Sequence, residues 1–168
     1  MPPTAEAEAR PPTERPTPRI KRTLVLLNEK AGSVGPTAPA QMDEALKAGG
    51  VEQFAIVDAT RMSRRVFQRA SQYDANIVLG GDGTARHAAE MAPRNGPPLI
   101  LLPGGTLNIL PKALYGDLAW PQALAAVLER GVERRLPVGR ANGEAFYVAG
   151  LFGAPTLLAR ARESMREG

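Results

Sequence analysis

Four short apolar runs, "TLVLLN" (Thr23 to Asn28), "VEQFAIVD" (Val51 to Asp58), "ANIVL" (Ala75 to Leu79) and "LILL" (Leu99 to Leu102), are separated by stretches with helical periodicity. Apolar runs closed by turns are the pattern of strands buried on both faces. Strands that alternate with helices imply parallel pairing through right-handed crossovers, so an α/β fold is predicted: a parallel sheet with flanking helices. "APAQMDEALKAGG" stops at Gly49 and Gly50, and "MSRRVFQRASQYD" offers Ser63 as an N-cap with Val66, Phe67 and Ala70 turned inward. A third helix runs from about Thr84 to Met91, and "WPQALAAVLERG" sets Pro121 near the first position and Gly131 just past the end.

The ends of the chain read differently. "MPPTAEAEARPPTERPTPRIKR" is rich in proline and charge, and residues 1–21 are expected to be a disordered tail. It lacks the apolar core of a signal peptide. Beyond Gly131 the pattern turns antiparallel, with Asn142 and Gly143 between two extended segments, a strong hairpin signal. A domain change is therefore expected near Gly131, separating a nucleotide-type domain over 22–131 from a second segment over 132–168 that closes on a charged helix, "APTLLARARESMREG".

Composition narrows the chemistry. With 168 residues, 43% of them hydrophobic, the chain can bury a real core. The absence of cysteine excludes disulfides, thiolate metal sites and a cysteine nucleophile, and it fits a reducing cytoplasm. His87 is the single histidine, which argues against a Ser-His-Asp triad and against histidine metal sites. No apolar run approaches the roughly 18 residues of a membrane span, so a soluble chain is expected. A net charge of +4 favours anionic partners such as nucleotides or acidic headgroups. Aromatics at 5% leave no stacking platform, and no nucleic-acid-binding pattern is present.

Two glycine-rich turns follow predicted strands: "GGDGT" (Gly80 to Thr84) and "PGGTLN" (Pro103 to Asn108). In open α/β folds, ligands bind at this carboxyl edge of the sheet. Gly80, Gly81 and Gly83 let backbone N–H groups turn inward at a helix start, a place for phosphate. A carboxylate there, Asp82, would repel phosphate unless Mg²⁺ bridged it to phosphate oxygens or it took a proton from a hydroxyl. That combination points to phosphoryl transfer. The plainer reading is that Asp82 only caps the helix and the glycines only turn the chain.

Three segments together resemble the diacylglycerol kinase and sphingosine kinase family of lipid kinases: "LLNEKAG" in its first-strand loop, "GGDGT" in its nucleotide loop and "LPGGTLNIL" in its third loop. "NGEAFYVAGLFGA" resembles the opening of that family's second, β-rich domain. The resemblance covers about residues 22 to 160 and implies an ATP-dependent kinase that transfers the γ-phosphate to a lipid alcohol with Mg²⁺. A non-catalytic nucleotide-binding module of the same fold is the alternative, and an NAD kinase the more distant one. The resemblance implies that Asn28, Ala31 and Gly32 form one wall of the ATP site. Thr60 would meet the nucleotide. Gly80, Gly81, Asp82, Gly83 and Thr84 would hold the phosphates, with Asp82 catalytic and nearest the metal. Gly105, Thr106 and Asn108 would close the opposite wall.

The sequence departs from the family at several points. Glu29 stands where the family has proline, and Arg86 and His87 replace an Asn-Glu pair. A cation in a first helical turn opposes the helix dipole, so Arg86 is expected to touch a phosphate, the alternative being a solvated arginine. His87 is expected at the surface and Trp120 as a packing anchor. Arg130, Arg134, Arg135 and Arg140 would face an acidic membrane at the inner surface, or simply solvent. Because the resemblance implies a whole second domain, the chain is expected to be truncated. A missing C-terminal domain or a homodimer partner would complete the site.

Overall fold

The computed structural model describes residues 15–16, 19–136, 138–141 and 144–146. In chain order the elements are β1 (Arg15–Pro16), β2 (Arg22–Leu27), α1 (Ala38–Ala48), β3 (Gln53–Asp58), α2 (Arg64–Arg69), β4 (Ala75–Gly80) and α3 (Asp82–Met91). They continue as β5 (Leu99–Pro103), α4 (Ile109–Tyr115), α5 (Trp120–Arg130), β6 (Val132–Glu133), β7 (Gly139–Ala141) and β8 (Glu144–Phe146).

Strands β2 to β5 form one parallel sheet in the order β3-β2-β4-β5, as the alternation of apolar runs and helices predicts. Val25 lies beside Ile56 and Ile77, and Leu79 lies between Leu27 and Leu102. Side chains alternate across a strand, so every central strand must be apolar on both faces. On one face Val25, Leu27, Ile77, Leu79, Ile100 and Leu102 pack against Met42 and Leu46 of α1 and against Trp120 and Leu124 of α5. Trp120 is thus the packing anchor that was expected. Leu24, Leu26, Val78 and Leu101 alternate with that set and are buried on the other face. Phe67 of α2 and Ala85 and Ala88 of α3 are buried too and stand outside the first cluster.

The order of strands places the site. From β2 the chain passes outward to β3, then returns across β2 to add β4 and β5 on its other side. Connections therefore diverge at the carboxyl ends of β2 and β4 and leave a crevice there, the position at which open α/β sheets take ligands.

Several sequence expectations shift. The first strand begins at Arg22 and ends at Leu27, so Asn28 belongs to the loop, and β3 starts at Gln53 rather than Val51. Ser63 does cap α2, accepting a hydrogen bond from the Val66 N–H, but the helix is short and ends in a 3-10 turn over Ala70–Gln72. α3 starts at Asp82, two residues before the expected Thr84. The tail expected over residues 1–21 stops short: Arg15–Pro16 pairs antiparallel with Val132–Glu133, and Ile20 is 3% exposed within the core. Its apolar side chain adds to the first face.

The chain divides after Leu136 rather than at Gly131, because the pairing of β6 with β1 keeps Val132–Glu133 with the α/β unit. In the second unit, β7 and β8 pair antiparallel with Ala141 opposite Glu144, bracketing Asn142 and Gly143 as a hairpin requires. Those two residues and the expected closing helix lie outside the described residues. Among the described residues no helix is long and apolar enough to cross a membrane.

Two polar residues tune the sheet. Asp74 Oδ2 accepts from the Lys21 and Arg22 N–H groups at 2.9 and 2.8 Å, tying the start of β2 to the start of β4. Burial alone would raise its pKa, but those two amides and the Arg22 guanidinium outweigh it and hold the carboxyl below its ordinary 3.8. Its contribution is therefore full above pH 3.8 and is lost as pH falls through the lowered native value. Asp74→Ala is expected to cost about 1 kcal/mol at neutral pH, with the gap to wild type closing in denaturant titrations carried below that value. Asn76 is 1% exposed, and among the described residues neither polar atom of its side chain has a hydrogen-bond partner. It lies beside Leu24 and Leu99 in the ladder, an apolar setting. Asn76→Leu is expected to stabilise the fold by about 1 kcal/mol or more, since it removes an unsatisfied buried amide; a lowered melting temperature would show that the amide is satisfied.

Candidate functional site

Three loops leave the carboxyl ends of β2, β4 and β5, and they meet backbone to backbone. The Asn28 N–H donates to the Leu79 carbonyl at 2.9 Å, Ser33 N–H to the Gly104 carbonyl at 3.0 Å, and Gly104 N–H to the Gly80 carbonyl at 2.9 Å. The contact between the two glycine turns is closer than any side chain would permit. A Cβ on Gly105 would stand 2.6 Å from Gly81 Cα, and one on Gly104 would stand 2.6 Å from Val34 Cγ2 and 2.9 Å from Gly80 Cα. The spacing "GGDGT…PGGT" thus answers a packing demand, in which two chain segments cross with nothing between them.

The second turn, Gly80 to Thr84, delivers the start of α3. Gly81 is its N-cap in an extended conformation (φ −82°, ψ 179°), and the first helical bond is Ala85 N–H to the Gly81 carbonyl. The N–H groups before Ala85 have no partner inside the helix and carry the positive end of its dipole. Asp82 stands in that first turn, where a carboxylate is favoured, and its Oδ1 accepts from the Leu110 N–H at 3.3 Å. Thr84 folds back over Gly80, whose Cβ, if present, would lie 2.8 Å from its Oγ1.

The first loop is organised by Asn28. Its Nδ2 donates to Thr84 Oγ1 at 3.2 Å and its Oδ1 accepts from the Lys30 N–H at 3.1 Å, while Ala31 N–H closes a turn on the Asn28 carbonyl. An asparagine that bonds the backbone two residues on builds a turn by itself, so Glu29 in place of proline does not open the loop. Gly32 approaches Thr106, with only 3.1 Å between a would-be Cβ and Thr106 Oγ1. Ala31 is partly buried against the core cluster.

In the third loop, Asn108 turns both polar atoms inward: Oδ1 accepts from Gly105 N–H and Nδ2 donates to the Gly105 carbonyl, each at 2.7 Å. Its backbone is left-handed, with φ 51°. Tyr115 of the neighbouring α4 packs against the core cluster, and burial pushes its phenol up to about 12, with the Leu101 backbone opposing.

The structure therefore gathers Asn28, Gly32, Gly80, Gly81, Asp82, Thr84, Gly105, Thr106 and Asn108 at one rim. Gly83 sits there too, in the first turn of α3, with nothing within 4 Å of its Cβ direction. Thr60 lies in the 3-10 turn that follows β3, and Asp58 caps that turn, its Oδ1 accepting the Thr60 N–H at 2.7 Å. That bond, a second from the Thr60 side chain and the charges of Arg61 and Lys30 hold the Asp58 carboxyl below its usual range. Arg86 is exposed and ion-paired with Glu90 at 3.2 Å, an i,i+4 pair running down α3, away from its N-terminus. His87 is exposed. Sequence reasoning missed Ser33, Val34 and Leu110, which act through backbone N–H groups or one methyl and leave no mark in residue type.

A hollow of about 450 Å³ lined by Ser33, Pro103, Asn108, Lys112 and Trp120 adjoins the loops. A larger apolar groove of about 850 Å³ lies between α1, α5 and residues 19–20 and shares no lining residue with the three loops. Among the described residues no cluster of three or more acidic or histidine side chains could hold a metal. Asp82 would therefore hold Mg²⁺ only with phosphate oxygens and water supplying further ligands.

A parallel sheet with glycine loops converging at its switch point defines a mononucleotide-type α/β unit. The family described as the diacylglycerol kinase catalytic domain matches residues 22–141, and the chain belongs to that family. Among solved structures it is similar to a diacylglycerol kinase from Bacillus anthracis str. Sterne, at 24% identity and a TM-score of 0.58 over 77% of this chain and 46% of that one. A second structure from the same organism, reported as a candidate diacylglycerol kinase, gives 0.60 at 23% identity over 77% of this chain and 49% of the other. The chain spans about half the length of these solved relatives.

Gly105→Ala is expected to destabilise the protein by about 1 to 3 kcal/mol, because the new methyl meets backbone that cannot rotate away. Chemical denaturation would measure it; an unchanged midpoint would mean that the two turns separate freely.

Proposed function

We propose that the chain is the nucleotide-binding part of an ATP-dependent lipid kinase, and that the crossing of Gly105 on Gly81 carries this reading. The crossing walls the start of α3, whose N–H groups at Gly81, Asp82 and Gly83 have no partner inside the helix, a setting that favours phosphate. In this reading the N–H groups of Gly81, Asp82 and Gly83 bind phosphate oxygens, and Thr84 and Thr106 add hydroxyl donors. Asn28, Ala31 and Gly32 form the near wall, and Gly80 and Gly105 allow the close approach. Thr60 and Arg86 stand at the periphery and contribute charge or shape rather than the cradle itself.

The reaction is attack by a lipid hydroxyl oxygen on the γ-phosphorus, in line with the departing ADP oxygen; one P–O bond forms as the other breaks and the hydroxyl proton leaves to a base. Fixed N–H donors stabilise the charge on the transferred group without reorganising. Mg²⁺, when bound with the nucleotide, would supply charge neutralisation, and Asp82 is the carboxylate placed to hold it. The Leu110 N–H sets the orientation of that carboxylate.

A second reading is nucleotide binding without transfer by this chain, which spans about half of each matched structure. Titration with Mg·ATP, together with radiolabel transfer to a panel of lipid alcohols and to NAD, separates the readings. Transfer to a lipid that is lost in Asp82→Asn supports the kinase, binding alone supports the module, label on NAD assigns the other branch of the fold, and no binding removes all three. Gly83→Ala adds an internal check. Its methyl meets no protein atom within 4 Å, so the helix should gain roughly 0.5 to 1 kcal/mol while ATP affinity falls where phosphate must approach that backbone.

A further inference from the structure

We propose that Asn108 is a positioning residue: its side chain grips Gly105 and sets the second glycine turn against Gly81, and with it the shape of the phosphate cradle. This rests on the nucleotide-binding reading above.

Asn108 is, among the described residues, the only one other than glycine with a positive φ, 51° with ψ 44°. Asparagine tolerates this left-handed region better than other side chains because its short amide can bond locally. Here it does so twice, accepting from Gly105 N–H and donating to the Gly105 carbonyl at 2.7 Å each, while 9% exposed. The side chain spans the turn as a backbone bridge would. Gly105 is thereby bonded by Asn108 and packed against Gly81, since a Cβ on it would lie 3.2 Å from Asn108 Oδ1 and 2.6 Å from Gly81 Cα.

The same residue begins α4. The Asn108 carbonyl accepts from the Lys112 N–H at 2.8 Å, and two residues on, the Leu110 N–H reaches Asp82 Oδ1. The left-handed turn at Asn108 therefore aims the amide that orients the Asp82 carboxylate as well as the loop that covers Gly81. Both polar atoms of the side chain bond Gly105, which ties Asn108 to the position of that turn.

The test uses the whole 168-residue chain and the variants Asn108→Ala, Asn108→Gly and Asn108→Asp. Backbone amide signals of Gly81, Asp82, Gly105 and Leu110 are read by NMR without nucleotide, Mg·ATP affinity by calorimetry, and melting temperature alongside. Glycine keeps the left-handed backbone but loses the grip, so it should melt closer to wild type than alanine, yet shift those amides and weaken ATP about tenfold. Aspartate still accepts from Gly105 N–H and should fall between. If alanine fails to fold, the glycine variant carries the test. Unmoved amides with wild-type affinity in Asn108→Gly overturn the proposal, as does affinity lost with amides unmoved, which would make Asn108 a direct ligand. If the wild-type chain binds no Mg·ATP, the nucleotide reading fails, and the amide positions still decide whether Asn108 holds the loop.

Discussion

The rim of this protein depends on one contact in which two main chains cross with no side chain between them. Gly80 and Gly81 lie under Gly104 and Gly105 at distances that exclude even a methyl group. Everything around the site is arranged about that crossing. The Gly104 N–H bonds under it to Gly80, Ser33 ties the first loop to its far side, and Asn108 braces it from above. Without it, the loops after β2, β4 and β5 would be three separate turns on a sheet edge.

Topology puts the crossing where it has electrostatic value. The strand order β3-β2-β4-β5 opens the crevice between β2 and β4, and α3 begins there with its positive end outward. A single carboxylate, Asp82, stands in that field and is fixed by a backbone amide of α4. The arrangement suits a polyanion that brings its own counter-ion. It suits a bare metal poorly, because one carboxylate offers too few ligands. Membership of the diacylglycerol kinase catalytic-domain family agrees with that chemistry.

The sheet was legible because its strands are buried on both faces and so read as plain apolar runs; Ile77, Val78 and Leu79 leave little other choice. The glycine turns were legible because close approach at Gly80, Gly104 and Gly105 leaves no room for a side chain. What could not be read was direction. Asn28 and Asn108 look like ligands in the sequence, and the structure adds a second task that residue type does not reveal: Asn28 bonds Thr84 and Lys30, and Asn108 bonds Gly105. An amide side chain serves a loop or a ligand equally well, and only geometry decides. Arg86 is a similar case: the expected helix start put it in the first turn, but α3 begins at Asp82, which leaves Arg86 past the first turn with Glu90 four residues on. Ile20 escaped notice because one apolar residue among prolines and charges has no periodicity to reveal it.

The pairing of Arg15–Pro16 with Val132–Glu133 has a further meaning. It brings the polypeptide's way in and its way out of the α/β unit onto neighbouring strands. A module whose two ends lie side by side can be spliced into a host loop without stretching either partner. The α/β unit of this protein meets that condition, its entry and exit being the two strands of one small sheet.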